Sequence, residues 1–227
     1  MKYRIRFSKT GPVSYIGHLD TMRYFQKAVK RAGLDVKYSE GFSPHQLMSF
    51  ASPLGTGVES TGDYMDLVLN SAPSREETMR IFNDAMAPGF EITDIRLLPE
   101  DLKQKSSMAV LKAADYTVTL MCPDPEGTAH SIEERFALTD SLPVEKETKK
   151  GTKTVDIKKG IYMLKADGAD IHMQLAAGSE MNVKPEEALT CLSGMSFDRI
   201  NTRIVRTEMY GLYGDTLRPL SEFGTYF

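Results

Sequence analysis

The feature that most restricts the fold is the order in which two hydrophobic periods follow one another along the first hundred residues. Residues 2–7 alternate strictly, with Tyr3, Ile5 and Phe7 on one side and Lys2, Arg4 and Arg6 on the other. That pattern predicts a half-buried strand with a basic outer face. Residues 19–32 change to helical spacing: Leu19, Met22, Phe25, Val29 and Ala32 form one stripe, and Gly33 stands where a helix stops. Short extended segments at 36–38 and 47–50 flank a turn at 41–44. Residues 63–69 read as a strand with Met65, Leu67 and Leu69 on one face. Ser74 and Glu77 stand at capping-box spacing and open a second helix with Met79, Phe82 and Met86 as its buried stripe. Gly89 ends it, and residues 90–95 give a further strand. Strand, helix, strand, strand, helix, strand is the ferredoxin-like order, an antiparallel sheet with both helices on one face.

No sequence repeat is visible, yet the second half runs through the same order. Tyr116, Val118 and Leu120 alternate, and residues 128–138 read as a helix with Ile132, Phe136 and Leu138 apolar. Residues 144–164 predict one or two strands joined near a lysine run, and Ile171, Met173 and Leu175 alternate on the next. Pro185 suits a first helical position, Glu186 and Glu187 the first turn, and Gly194 the stop. Residues 203–210 close the unit. The expected fold class is therefore α+β, with two tandem ferredoxin-like (βαββαβ) domains at 1–100 and 111–213. A polar linker joins them, and a tail covers 214–227. The 227 residues suffice for two domains of about 100 residues each.

Composition removes several function classes. Cys122 and Cys191 lie far apart with no CxxC partner, which argues against a structural zinc site or disulfide framework. No metal and no cofactor is expected. No apolar run approaches the roughly 20 residues of a membrane span, and the N-terminal strand lacks a signal-peptide core. The expectation is a cytoplasmic protein with no membrane partner. The formal net charge of −3 does not announce a nucleic-acid binder. The average hides a split, however. Residues 1–50 carry Lys2, Arg4, Arg6, Lys9, Arg23, Lys27, Lys30, Arg31 and Lys37 against only Asp20, Asp35 and Glu40. Residues 63–101 are acidic, and Lys146, Lys149, Lys150, Lys153, Lys158 and Lys159 form a second basic run. Asymmetry of this kind suits a directed surface, or simple solvation of a small domain.

Two short runs concentrate polar, turn-forming residues: Gly17, His18, Leu19 and Asp20, then Gly41, Phe42, Ser43, Pro44 and His45. The first opens a helix, whose free N–H groups suit an anion. Alternatively Asp20 only complements the helix dipole. In the second, Phe42 could stack on a base and His45 could contact phosphate or act as acid and base; alternatively the loop is a rigid hairpin with Phe42 in the core. The catalytic candidates are His18, Asp20 and His45. The RNA- or anion-binding candidates are Arg4, Arg6, Lys9, His18, Arg23, Gly41, Phe42, Ser43, His45, Lys149, Lys150 and Lys153. Arg4 and Arg6 have alternatives as well: pairing across the sheet with Asp66 and Glu59, or a face covered by the second domain. Gly55, Thr56 and Gly57 lack the lysine and helix of a P-loop, and no nucleophile elbow is present.

The segments Arg6, Phe7, Ser8, Lys9; His18, Leu19, Asp20; Arg31, Ala32, Gly33; Tyr38, Ser39, Glu40, Gly41, Phe42, Ser43, Pro44, His45; and Gly57, Val58, Glu59, Ser60 together resemble the radical SAM-linked protein family. This is a bacterial domain found fused to, or encoded beside, cobalamin-binding radical SAM proteins. Its members usually carry Ser at the position of Gly17 and often Asn at that of Ser43. The resemblance implies a radical SAM protein as partner; this chain, lacking the radical SAM cysteine triplet, would be the accessory. Tandem ferredoxin-like folds also look like those of tRNA pseudouridine synthases and CRISPR repeat endoribonucleases, at the level of fold alone. The resulting expectation is an accessory RNA-binding module, for tRNA or rRNA, working with a radical SAM protein. Two alternatives stay open: a metal-independent RNA-processing or RNA-modifying enzyme using His18 and His45, and a protein–protein adaptor without nucleic acid.

Overall fold

The computed structural model describes residues 1–102, 105–148, 151–198 and 201–227. In chain order the elements are β1 (Lys2–Lys9), a 3-10 turn (Gly11–Tyr15), α1 (His18–Arg31), β2 (Met48–Phe50), β3 (Glu59–Val68), α2 (Arg75–Asp84) and β4 (Phe90–Leu97). There follow α3 (Ser107–Val110), β5 (Leu111–Leu120), α4 (Pro125–Leu138), β6 (Pro143–Thr148), β7 (Gly151–Asp156), β8 (Ile161–Asp167), β9 (Asp170–Ala176), α5 (Pro185–Ser193), β10 (Thr202–Tyr213) and β11 (Thr216–Pro219). The chain is mixed α+β and divides into two compact units, residues 1–112 with 206–227, and residues 113–205. No helix among the described residues is long and apolar enough to cross a membrane.

In the first unit β1 pairs antiparallel with both β3 and β4, and β2 pairs antiparallel with β3. The outer edge of β3 is divided. Its Met65, Asp66 and Leu67 face the three residues of β2, while β10 lies beside β3 as well. Helix α1 starts after Gly17 and stops before Gly33, whose φ of +66° favours glycine. Helix α2 is capped as its spacing predicts, the Ser74 hydroxyl accepting the Glu77 N–H at 3.3 Å. The two helices meet the sheet through aromatic rings. Phe25 of α1 is fully buried and lies 4.8 Å from Phe7, 5.4 Å from Phe50, 5.5 Å from Phe90 and 6.3 Å from Phe82, in tilted and edge-on contacts.

In the second unit β5, β9 and β8 form an antiparallel sheet, in that order. Helix α4 packs on β8 and beside α5, burying Ala129, Ile132, Leu189 and Leu192 over Ile171, Met173 and Leu175. Gly194 ends α5 at φ +74°. Among the described residues, strands β6 and β7 pair with each other alone, as a polar ribbon with Lys146 opposite Lys153.

The structure departs from the sequence expectation at the C-terminus. From Arg206 onward the chain belongs to the first unit, so residues 111–213 do not make one unit and 214–227 are no loose tail. Strand β11 pairs with β10, Leu220 and Phe223 are buried, and Thr225 exchanges two backbone bonds with Leu97. Tyr226 lies under the guanidinium groups of Arg75 and Arg96, and Phe227 packs on Tyr3 at 4.7 Å. These anchors are irregularly spaced, so no helix or strand period betrays them. Residues 105–112 are likewise no bare linker: Ser106 caps α3, and the buried Ser107 donates its N–H to Asp66 at 2.7 Å.

Gly62 lets β3 and β10 approach closely, because a Cβ there would stand 2.1 Å from the Thr207 carbonyl oxygen. Gly62→Ala is expected to destabilise the first unit by roughly 1–3 kcal/mol, the usual cost of forcing extra atoms into a packed site. Urea unfolding followed by tyrosine fluorescence checks it, with Gly17→Ala, where a Cβ would meet nothing within 4 Å and φ is −64°, as the contrast for added bulk alone.

Candidate functional site

The candidate site begins where the core face of the first unit's sheet runs out of apolar residues. Reading along β1 and β3, the opposed core-facing pairs are Tyr3 with Leu67, Ile5 with Met65, Phe7 with Asp63 and Lys9 with Ser60. The last two rungs place an aspartate, a lysine and a serine where the strand period demands burial. All three are buried, Lys9 to 1% and Asp63 to 4% exposure. A register shift between Phe7 and Lys9 accommodates the change.

Each group has partners. Lys9 Nζ donates to the Ile16 carbonyl at 2.6 Å and to the Ser14 carbonyl at 3.4 Å, fixing the path from the 3-10 turn into α1. Asp63 Oδ1 accepts from Arg206 Nε at 2.7 Å and from the Ser60 hydroxyl at 2.8 Å. Arg206, 3% exposed, also donates to the Ser52 carbonyl at 3.4 Å. His18 is the first residue of α1 and half-buried, its ring edge-on to Phe50 at 5.6 Å. Phe7, Lys9, His18, Thr21, Phe50, Ser52, Leu54 and Asp63 enclose a pocket of about 10 Å³, room for about one water molecule. Burial lowers the pKa of Lys9, with Asp63 opposing the shift. Burial also lowers that of His18, reinforced by the charges of Lys9 and Arg206 and opposed by Asp63. An imidazole whose pKa is held down by burial thus borders a pocket lined by both Lys9 and Asp63, and buried groups with shifted pKa values beside a charge partner mark candidate functional sites.

The expected basic outer face of β1 is closed over. Arg4 is 2% exposed, and its Nε donates to Asp66 Oδ1 at 2.9 Å, the pairing foreseen as its alternative. Its guanidinium lies over the Phe223 ring. Arg6 meets Glu208 at 3.2 Å and the Thr207 carbonyl at 3.2 Å, not Glu59. Glu208 also accepts from the Tyr64 hydroxyl at 2.7 Å, and burial pushes that phenol's pKa up. Asp66 belongs to β3, but Thr207, Glu208 and Phe223 come from β10 and the C-terminal segment, whose return to the first unit the sequence does not announce.

The solvent face of α1 is different. Arg23, Lys27 and Lys30 are exposed at spacings of four and three, which puts them on one side of the helix. Asp20 pairs with Arg23 at 3.0 Å, both side chains in water. The 41–45 loop is tied to this helix by Gln46, whose Nε2 donates to the Gln26 carbonyl at 3.1 Å. Gly41 has φ +115°, open to glycine alone at low cost. Ser39 and His45 close the loop through a backbone bond of 2.8 Å and a hydroxyl–imidazole contact of 2.8 Å. Gly41, Phe42, Ser43, Pro44 and His45 are all exposed, and Phe42 completely so, which removes the alternative of a core-packed ring.

Among the described contacts His18, Asp20 and His45 do not meet; each has its own partners. Lys153 is exposed on β7, whereas Lys149 and Lys150 lie outside the described residues. Lys146 pairs with Glu187 at 3.0 Å, and Lys158 covers the Phe136 ring. Asp63, Ser60 and Arg206 escaped the sequence reading. The available signal was a charge in the apolar phase of a strand, since Asp63 precedes Met65 and Leu67, and Arg206 follows Thr202 and Ile204. Among the described residues no group of His, Cys, Asp and Glu is placed to hold a metal ion.

Comparison with known proteins adds a family. Residues 2–185 match the family model described as "Uncharacterized protein conserved in bacteria (DUF2344)". No curated protein matches. Among solved structures, a chain of the "Crystal Structure of a Cbf5-Nop10-Gar1 Complex" is similar at 12% identity with a TM-score of 0.43. The alignment covers 91% of this chain and 48% of that one, so this chain spans about half the length of the solved chain it matches.

Asp63→Ala strands Arg206 without its carboxylate and is expected to cost about 3–5 kcal/mol in urea unfolding, the range for breaking a buried pair. Arg23→Ala, at an exposed pair, should change stability by less than about 1 kcal/mol. A second expectation concerns pH. Because the His18 pKa is held below its ordinary 6.5 in the folded state, the unfolded chain takes up a proton first as pH falls. His18 therefore contributes a loss of stability that starts near pH 6.5 and grows down through its folded pKa. His18→Gln should flatten the fall in urea midpoint between pH 7 and pH 5, values bracketing the ordinary histidine range.

Proposed function

The chain belongs to the conserved bacterial family that its residues 2–185 match, and from that premise we propose that it is an accessory RNA-binding module. The observation that carries this reading is the surface of α1 and the 41–45 loop. A fully exposed phenylalanine lies on a loop whose following residue, Gln46, is bonded to a helix that turns three unburied cations to solvent. Cations on one helix face track a phosphate backbone, and an aromatic ring stacks on an unpaired base. Phe42 has no packing role that would explain its place, and the Ser39–His45 bonds hold the loop that presents it. The site therefore combines Arg23, Lys27, Lys30 and Phe42, with His45 at the loop's end. Arg4 and Arg6 are left to internal pairing. The partner in this reading is a radical SAM protein, on the family resemblance of the motifs at 6–9, 18–20 and 38–45; the RNA is a tRNA or rRNA.

The fold fits the same reading. The strand order β4, β1, β3, β2, with every pair antiparallel, supports a ferredoxin-like first unit. The second unit repeats the order of elements, with the β6–β7 ribbon as an insertion.

Fluorescence anisotropy with a labelled tRNA tests the proposal. Binding should weaken steeply with salt, and Lys27→Glu with Lys30→Glu should reduce the slope of log affinity against log salt by about 1–2. Phe42→Ala should weaken binding about tenfold, a loss of about 1–3 kcal/mol for one stacked base. Wild-type protein that binds no RNA, or binds it equally well after all three changes, overturns the proposal.

A further inference from the structure

Lys9 is the one described cation of the pocket without a carboxylate. Its Nζ is held by two neutral carbonyls, those of Ile16 and Ser14. No carboxylate lies within ion-pair distance of it among the described residues. Asp63 is the pocket's acid, and its Oδ1 is already taken by Arg206 and Ser60. Lys9 thus lines the pocket beside an aspartate that it does not pair with directly and that Arg206 engages instead. A buried charge is expensive unless an opposite charge or a full set of dipoles compensates it. The remaining compensation can come only from a neutral amine or from an anion supplied from outside.

The shape of the pocket favours the anion. A lysine needed only to hold two carbonyls would be packed on all sides, whereas this one borders a cavity with room for about one oxygen atom. The wall opposite the core is made by His18, half-buried, and by Ser52 of the loop after β2, also partly open to water. Among the described residues the His18 ring nitrogens have no hydrogen-bond partner. One of them can therefore donate to an incoming group. Burial is the main cause of the lowered His18 pKa, with the charges of Lys9 and Arg206 adding to it and Asp63 opposing it.

We propose that the pocket bounded by Lys9, His18, Thr21, Ser52 and Asp63 is an oxyanion site that takes one oxygen of a phosphate group. The space admits one such oxygen and excludes a base, a sugar or a whole phosphate, so the phosphorus stays outside beside the imidazole. That the oxygen belongs to a phosphate rests on reading α1 as a polyanion surface, since the same helix starts at His18 and carries Arg23, Lys27 and Lys30. The pocket's demand for an anion does not rest on it. The residues come from β1, α1, the 50–54 loop and β3, with Arg206 of β10 behind Asp63, so the site exists only in the folded first unit.

Histidine-ring NMR on the full chain tests this, with inorganic phosphate titrated against sodium chloride at matched ionic strength. The His18 ring signals should move saturably, while those of His130 and His172, outside both proposed sites, stay still as internal controls. Lys9→Met should abolish the response. Should that variant not fold, Ser52→Phe fills the pocket from its solvent side with Lys9 in place, and is expected to weaken phosphate binding at least tenfold. Movement of all four histidines together without saturation overturns the proposal, as does a response that survives either variant. Separate arms with adenosine monophosphate and with tRNA identify the source. A phosphate response that the nucleotide reproduces and RNA does not affect supports the pocket as a small-phosphate site and removes the α1 reading. RNA binding with His18 indifferent to phosphate overturns the pocket and leaves the RNA reading standing.

Discussion

The first unit depends on a strand that is charged on both faces and buried on both. β3 carries Asp63 toward the core side and Asp66 toward the other, each almost fully buried. A carboxylate in that position is tolerable only with donors built around it. Arg206 and Ser60 serve the first; Arg4, Lys2 and the Ser107 N–H serve the second. Those donors come from β10, β1 and α3. Three separate stretches of chain are therefore fixed to one strand by charge as well as by backbone ladder. The same requirement explains why the C-terminal residues cannot be a tail. Without the chain from Arg206 onward, Asp63 would have lost its guanidinium and Arg4 the ring and carbonyl that cover it.

Much of the framework was legible because it follows from local rules. The alternation of β1, the stripe of α1, the Ser74 cap and the glycine stops at 33 and 194 each depend on residues within one turn or two rungs of one another. What was not legible depends on distant pairing. Arg4 in a strict alternation reads as solvent-facing, because strand period alone assumes that one face meets water. Here a segment over two hundred residues away covers that face, since Arg4 Nη1 reaches the Leu220 carbonyl. The residues of β11 and beyond hold their place through single contacts such as Tyr226 under Arg96, which leave no periodic trace.

The candidate site divides along the same line. The exposed loop at 41–45 was legible, since glycine, proline and an aromatic between two short extended segments mark a turn. The polar pocket was half legible. His18 stands out by its position at a helix start, whereas Lys9 reads as one of the many cations of the first fifty residues. Its place two residues after Phe7, in the buried phase of β1, was the overlooked sign. Asp63 carried the same sign at the start of β3. A charged residue in the apolar phase of a strand is a conflict between levels, and such conflicts gather where a protein does something other than fold.

Net charge is a poor guide to this surface, and the division of labour between arginine and lysine shows why. In the first unit arginine supplies the internal pairs: Arg4 with Asp66, Arg6 with Glu208, Arg75 and Arg96 with Asp94, Arg206 with Asp63. Its planar fork matches a carboxylate and loses little freedom in doing so. Lysine, a compact and strongly hydrated charge, is left outside at Lys27, Lys30 and Lys37, while Lys2 joins Arg4 at Asp66. The excess of bases in the first fifty residues is thus partly consumed within the fold. What remains faces water and is concentrated on one helix rather than spread over the unit. Lys9 breaks the division, as a lysine inside where an arginine or an apolar residue would be the economical choice. An arginine there would fill the cavity with its own bulk and find no second carboxylate. Only a slender ammonium leaves the space beside it open, and it is that space, more than the charge itself, that separates a site from a structural pin.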